Sequence, residues 1–226
     1  MKNISNIIKQ MLHNKVIKVA EGKDNNATKA KYTREEIISK AFEMTRQKGI
    51  DAVVARELGK ELGTSSSPIF TAFKNMEELQ KEVRKVAMRE FEAYVRDAVN
   101  YTPAFKYVGL KMIEFAMKEP KLFQLLYMRE HDGSQTYAML IEELGDTVEV
   151  CIELIRKDYG LTRAEAEMVF RQVWLHTFGI CVLVAGRVCR MTPEEISEML
   201  SMEFKGTLML IKSGTFQVEH VQGVEN

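Results

Sequence analysis

Apolar side chains along this chain recur at the spacing of helices almost throughout. Ile37, Ile38, Ala41, Phe42 and Thr45 fall on one face behind Thr33-Arg34-Glu35-Glu36. That tetrad is a capping box, in which the threonine hydroxyl accepts from the third helical amide and the glutamate reaches back. Gly49 ends the helix. A shorter helix is predicted over about Val54–Leu62, closed by Gly63, and a very short third one from Ser65 through Phe73. Asn75-Met76-Glu77-Glu78 opens a long fourth helix carrying Leu79, Val83, Val86 and Ala87. Pro103 and Pro120 read as first-turn prolines of a fifth and a sixth. Ser134 caps a seventh through roughly Lys157, Thr162 an eighth to about Arg187, and Thr192-Pro193-Glu194-Glu195 opens the ninth. The pattern describes an all-α chain of about nine helices without tandem repeats.

Composition agrees with that picture. The 226 residues are 46% hydrophobic and 28% charged, and only four prolines and thirteen glycines interrupt them. The longest apolar stretch, around Thr177–Ala185, is too short for a bilayer crossing, so no membrane helix and a cytoplasmic location are expected. Cys151, Cys181 and Cys189 lack CxxC spacing and read as small buried hydrophobes of a reducing compartment.

Charge is neutral overall but uneven. Residues 1–90 hold 18 Lys and Arg against 12 Asp and Glu, and the remainder carries the opposite excess. Much of the positive excess sits in residues 1–31, with 7 Lys against 2 acids. Ile4, Ile7, Ile8, Met11 and Leu12 give that leader helical spacing; an amphipathic helix packing on the body, an arm near DNA, a membrane-surface segment and an unstructured extension all fit. Enzyme chemistry is not signalled. There is no GxSxG, HExxH, phosphate loop or paired metal-ligand spacing, and Glu130-His131-Asp132 reads as a solvated loop before Gly133. No cofactor or metal is expected.

The informative stretch is Gly49–Leu79. Two short helices separated by Gly63-Thr64, the second introduced by three serines, are what a helix-turn-helix needs. Gly63 permits the sharp turn, Ser65 is the expected cap, and a helix end with small hydroxyl residues fits a major groove and attracts phosphate. Ile69, Phe73 and Leu58 read as core. The residues from Thr33-Arg34-Glu35-Glu36-Ile37-Ile38 through Gly49-Ile50-Asp51-Ala52, Arg56-Glu57-Leu58-Gly59, Gly63-Thr64-Ser65, Pro68-Ile69-Phe70 and Phe73-Lys74-Asn75-Met76-Glu77-Glu78-Leu79 resemble the TetR (tetracycline-repressor-like) family of transcription regulators.

The resemblance implies a homodimeric repressor that binds double-stranded operator DNA and answers to a small-molecule effector. It implies an extension over residues 1–31, a DNA-binding domain over 32–79, a ligand and dimerisation domain over 80–213 and a frayed tail over 214–226. DNA contacts would come from Arg56, Thr64, Ser65, Ser66, Ser67, Thr71 and Lys74, with Phe70 where a tyrosine commonly touches the backbone. Met76 stands where many members have lysine, and Val53-Val54 replaces the usual hydroxyl cap of the second helix. Trp174-Leu175-His176-Thr177-Phe178-Gly179 resembles the Trp-His-Gly signature of one C-terminal subclass, with Phe178 in place of the histidine that precedes glycine. Met112, Phe115, Phe123, Tyr127, Trp174, His176 and Phe178 are candidates for an apolar ligand pocket. Val173, Ile180, Leu183, Leu200, Phe204 and Leu208 are candidates for the dimer interface. The rival readings are a helical adaptor that has lost DNA binding and, behind it, an enzyme.

Overall fold

The computed structural model describes residues 32–129, 133–144 and 146–214. The leader, with its alternatives, and Glu130-His131-Asp132 lie outside these residues. Ten α-helices follow one another, and the described residues contain no strand: α1 Arg34–Lys48, α2 Ala55–Glu61, α3 Ser67–Ala72, α4 Met76–Arg96, α5 Ala104–Lys118, α6 Pro120–Tyr127, α7 Tyr137–Glu143, α8 Asp146–Tyr159, α9 Arg163–Ala185 and α10 Pro193–Lys212. Single 3-10 turns link α1 to α2 and α4 to α5.

The ends of the helices are where local chemistry puts them. Full capping boxes form at Thr33–Glu36, Thr162–Glu165 and Thr192–Glu195, and Asn75 caps α4 by accepting from the Glu78 amide. Three expectations change. The predicted seventh helix is two, α7 and α8, and its cap is Thr136 rather than Ser134, because Thr136 Oγ1 is the acceptor that reaches the Met139 amide. Pro103 precedes the first helical residue of α5 instead of entering it. The cap position of α3 is Ser66, without a side-chain cap bond. Pro68 removes one of the two amides such a cap could bond, and the other, that of Ile69, donates to the Ser66 carbonyl at 3.1 Å. Ser65 Oγ serves the first turn from one position earlier, accepting from the Ser67 amide at 3.3 Å.

α1 to α3 and the start of α4 make a head around Ile37, Ala41, Val53, Leu58, Ile69, Phe73 and Leu79, all buried. α4 then runs out of the head into a body centred on α5 and α9, the most extensively packed pair, with α8 and α10 laid against α9. Gly109 lies on that seam; a Cβ there would meet Thr177 Oγ1 at 3.6 Å, so the two helices approach closely. α9 is long and apolar enough by composition to cross a bilayer. Within the protein it buries Val169, Phe170, Val173, Trp174, Ile180 and Cys181.

A run of aromatic rings ties the body together. Tyr94 meets Phe115 edge-on at 5.2 Å, Phe115 meets Phe91 at 5.3 Å, and Phe91 meets Tyr127 at 5.5 Å. Tyr127 leans on Phe123 at 5.2 Å, Phe123 on Phe178 at 6.0 Å, and Phe178 stacks on Trp174 at 5.1 Å. These separations lie in the range where aromatic pairs add to simple burial. Two of the three cysteines are buried as expected, and burial pushes the Cys151 thiol up to about 12. Cys189 is exposed, in the turn after α9, contrary to the expectation that all three would be core.

Candidate nucleic-acid interface

The turn between α2 and α3 begins at Gly63, whose φ of +66° is a left-handed conformation that side chains disfavour. Gly59 matters as much. A Cβ there would lie 3.0 Å from the Ser65 carbonyl carbon, so only glycine lets α2 press this closely on the turn. The Thr64 amide donates to the Gly59 carbonyl at 2.9 Å and closes the loop. α3 is six residues long, too short to stand alone, and its inward side is held by Ile69 and by Phe73 just beyond it.

Arg34 fixes the far end of α3. Its guanidinium donates to the Ala72 carbonyl at 2.6 Å and to Glu78 Oε1 at 2.9 Å, and lies over the Phe73 ring at 4.1 Å. Glu78 accepts a second time, from the Lys74 amide at 2.8 Å. That backbone N–H and the Arg34 cation hold the Glu78 carboxyl below its usual range. On the other side the Tyr32 hydroxyl donates to the Leu62 carbonyl at the end of α2. The clamp escaped sequence reasoning because Arg34 and its acceptors are 38 and 44 positions apart.

With those anchors inside, the remaining side chains of the motif face solvent. Arg56, Ser65, Ser67, Phe70, Thr71 and Lys74 are exposed, and Thr64 and Ser66 are half-buried. Thr71 Oγ1 donates back to the Ser67 carbonyl at 3.1 Å. The cations around this face fall in two sets. Lys48 and Lys40 pair with Glu61, Lys60 with Glu57, and Lys81 with Glu77. Arg56 and Lys74 are exposed and make no ion pair within 4 Å among the described residues, although Arg56 acts on the Glu57 carboxylate and Lys74 on that of Glu78 from farther off. Val54 stands at the cap position of α2 with no cap bond, as its side chain requires, while Val53 is buried in the head core. Met76 packs partly buried against that core, so the place of the common lysine is filled by an apolar contact.

Two family models match the chain. One, described as bacterial regulatory proteins of the tetR family, covers residues 37–83, and the other, described as a tetracyclin repressor-like C-terminal domain, covers residues 105–204. The chain belongs to the TetR family. It is therefore a transcription regulator whose DNA-binding part is the N-terminal one. The tetR-family match takes in most of α1, all of α2 and α3, and the first turns of α4, the elements just described. The C-terminal match begins inside α5 and ends inside α10, and its description names no Trp-His-Gly subclass. No curated protein matches the chain.

The other predicted TetR-family site residues fall in the body. Met112, Phe115 and Phe123 are buried and Tyr127 and Phe178 partly so around one core, while Trp174 belongs to a second core that Phe178 also touches. Burial drives the Tyr127 phenol well above its ordinary range. His176 stands apart from this aromatic run: its Nδ1 is 3.9 Å from Glu203, and its buried Nε2 has no hydrogen-bond partner among the described residues. Of the six dimer candidates, Val173, Ile180 and Leu200 are buried within the protomer, and Phe204 and Leu208 pack partly against the second core. Only Leu183 is exposed. The apolar side chains of α9 and α10 that do face solvent are Leu175, Leu183, Met199, Met202, Met209 and Leu210. Among the described residues no group of His, Cys, Asp or Glu is arranged to hold a metal ion.

Proposed function

We propose that the chain is a homodimeric repressor that sets α3 into the major groove of an operator and releases or tightens its grip when a small, partly apolar molecule enters the body. The observation that carries the reading is the division of α3 and its flanks. Ile69 and Phe73 are buried, while Ser65, Ser67, Phe70 and Thr71 are exposed, as are the cations Arg56 and Lys74. Hydroxyls and exposed cations on and near a short helix suit phosphates and base edges, and a phenyl ring at position 70 suits apolar contact with sugar or thymine methyl. Phe70 has no hydroxyl and Met76 no charge, so phosphate contacts are fewer and affinity falls gently with salt.

Dimerisation supplies the second recognition helix. The face proposed for it is Leu175, Gly179 and Leu183 on α9 with Met199, Met202 and Met209 on α10. A Cβ at Gly179 would meet nothing within 4 Å, and neither would one at Gly206 on the same side of α10. Two copies laid face to face form an isologous four-helix bundle. The effector acts through its differing affinity for the two spacings of the recognition helices, with α4 as the lever between body and head. Fluorescence anisotropy with DNA from the chain's own upstream region, repeated over a salt series, tests the reading. Binding to that DNA with a negative salt slope supports it. Salt-independent or absent binding favours a helical adaptor instead. Sedimentation of Met202→Lys, expected to run as a monomer where the parent chain dimerises, tests the face.

A further inference from the structure

The C-terminal half of α4 carries Glu90, Ala93 and Tyr94, and Asp97 follows at its C-cap; spacings of three and four put them on one side. Together with Tyr101 beyond the helix and Lys111 on α5 they line an open cleft of about 330 Å³, enough for a small organic molecule. Its charge is not balanced from within. Lys111 donates to Glu114 at 2.6 Å, which neutralises the one cation of the wall. Asp97 makes no ion pair among the described residues. Tyr101 is 50% exposed, and its ring is braced by stacking on Tyr107 at 4.6 Å, so an aromatic face stands open beside free negative charge. A carboxylate next to an open ring attracts a cation with an apolar body.

Glu90 is paired with a cation outside the cleft. The guanidinium of Arg46, on α1 of the head, donates to it at 2.6 Å and to Glu119 at 3.0 Å, and stands over the Phe42 ring at 4.9 Å. Partial burial lowers the pKa of Arg46, but Glu119 and Glu90 outweigh that and leave it raised, as a cation held between two carboxylates should be. One carboxylate therefore forms part of the wall of the cleft and half of one of the ionic links between α1 and α4, the other being that of Arg34 with Glu78.

We propose that this cleft takes a small organic cation with an apolar or aromatic body, and that the bound cation competes with Arg46 for Glu90. The inference rests on the effector reading above and deepens it, naming the ligand's charge and the side chain through which the head feels it. Arg46 is a positioning residue: it touches neither ligand nor DNA, and sets how firmly α1 is held against α4. When Glu90 turns to the ligand, Arg46 keeps Glu119, just before α6, and α1 loses one of its ties to α4 while that of Arg34 remains.

The test uses the full chain without DNA. Benzyltrimethylammonium is the probe and phenylacetate, of similar size and opposite charge, its counterpart, each titrated while the backbone amides and the Arg46 Nε–H are followed by NMR. Benzyltrimethylammonium should shift amides of residues 90–101 and Lys111 saturably, and phenylacetate should not. Asp97→Asn should weaken the probe by about fivefold, as expected for one exposed charge contact. In the parent chain the Arg46 Nε–H should move in step with the cleft amides; in Glu90→Gln the cleft should still respond and Arg46 should not. No saturable shift, or an equal one from phenylacetate, overturns the cation site. Saturation of the cleft with an unmoved Arg46 signal overturns the competition. Because promoter binding is measured separately, its failure would sink the DNA reading and leave these outcomes as they are.

Discussion

The head and the body are both built of helices, yet they position their working parts by opposite means. α3 buries one residue of its own, Ile69, and owes its place to a glycine contact beneath it and to Arg34 at its end. α9 buries residues from Ala166 to Ala185 and is held by packing on α5, α8 and α10. A short helix fixed at its ends leaves its sides free, which suits a surface that must enter a groove. A long helix used on several sides offers a ligand only the clefts and seams between its neighbours. Affinity for DNA should accordingly be sensitive to polar clamps in the head, and global stability to apolar volume in the body.

Substitutions in the two regions should separate those quantities. The largest loss of stability should come from Phe123→Ala in the body, where a fully buried ring touching Tyr127 and Phe178 disappears. A cost of about 3–5 kcal/mol is expected, read by urea unfolding, with the DNA affinity of the folded fraction unchanged. Next comes Gly59→Val, which sets new atoms against the Ser65 carbonyl. Overpacking of this kind costs about 1–3 kcal/mol, and here the loss of DNA affinity should exceed the loss of stability. Arg34→Met keeps much of the aliphatic stem and removes the clamp on Ala72 and Glu78. With the pair about one-third exposed, screening holds the expected cost to about 1 kcal/mol. Amide exchange should quicken around α3 and leave α9 as it was. Smallest, and of opposite sign, is Val54→Thr, which supplies the missing cap of α2 and should raise stability by about 0.5–1 kcal/mol in thermal melts. Equal responses of head and body in affinity and stability would erase the contrast.

The same contrast explains what could be read from the sequence. Caps are local chemistry, with the partner three residues away, so Thr33, Asn75, Thr162 and Thr192 announce their helices directly. The inward anchors Leu58, Ile69 and Phe73 follow from spacing as well, and all are buried. Arg34 and Arg46 do not, because nothing near either in the chain hints at carboxylates and carbonyls dozens of residues away. The break between α7 and α8 was masked by helical spacing on both sides of it. The stripes on α9 and α10 reveal which positions are apolar and not what covers them. Val173, Ile180 and Leu200 are covered by their own protomer, whereas Met202 and Met209, which are not among the candidates that spacing picks out, are the most exposed apolar side chains of the two helices.

The measurement closest to the centre of this account pairs two charge reversals on exposed lysines, Lys74→Glu beside α3 and Lys157→Glu on α8. Both chains are titrated with the same upstream DNA by anisotropy, after circular dichroism has shown equal helix content. Lys74→Glu should weaken binding by about tenfold or more, since it turns an attraction for phosphate into a repulsion at each recognition helix, and Lys157→Glu should stay within about twofold of the parent. Equal effects from both, or none from Lys74→Glu, would contradict the assignment of the DNA surface to the outward side of α3.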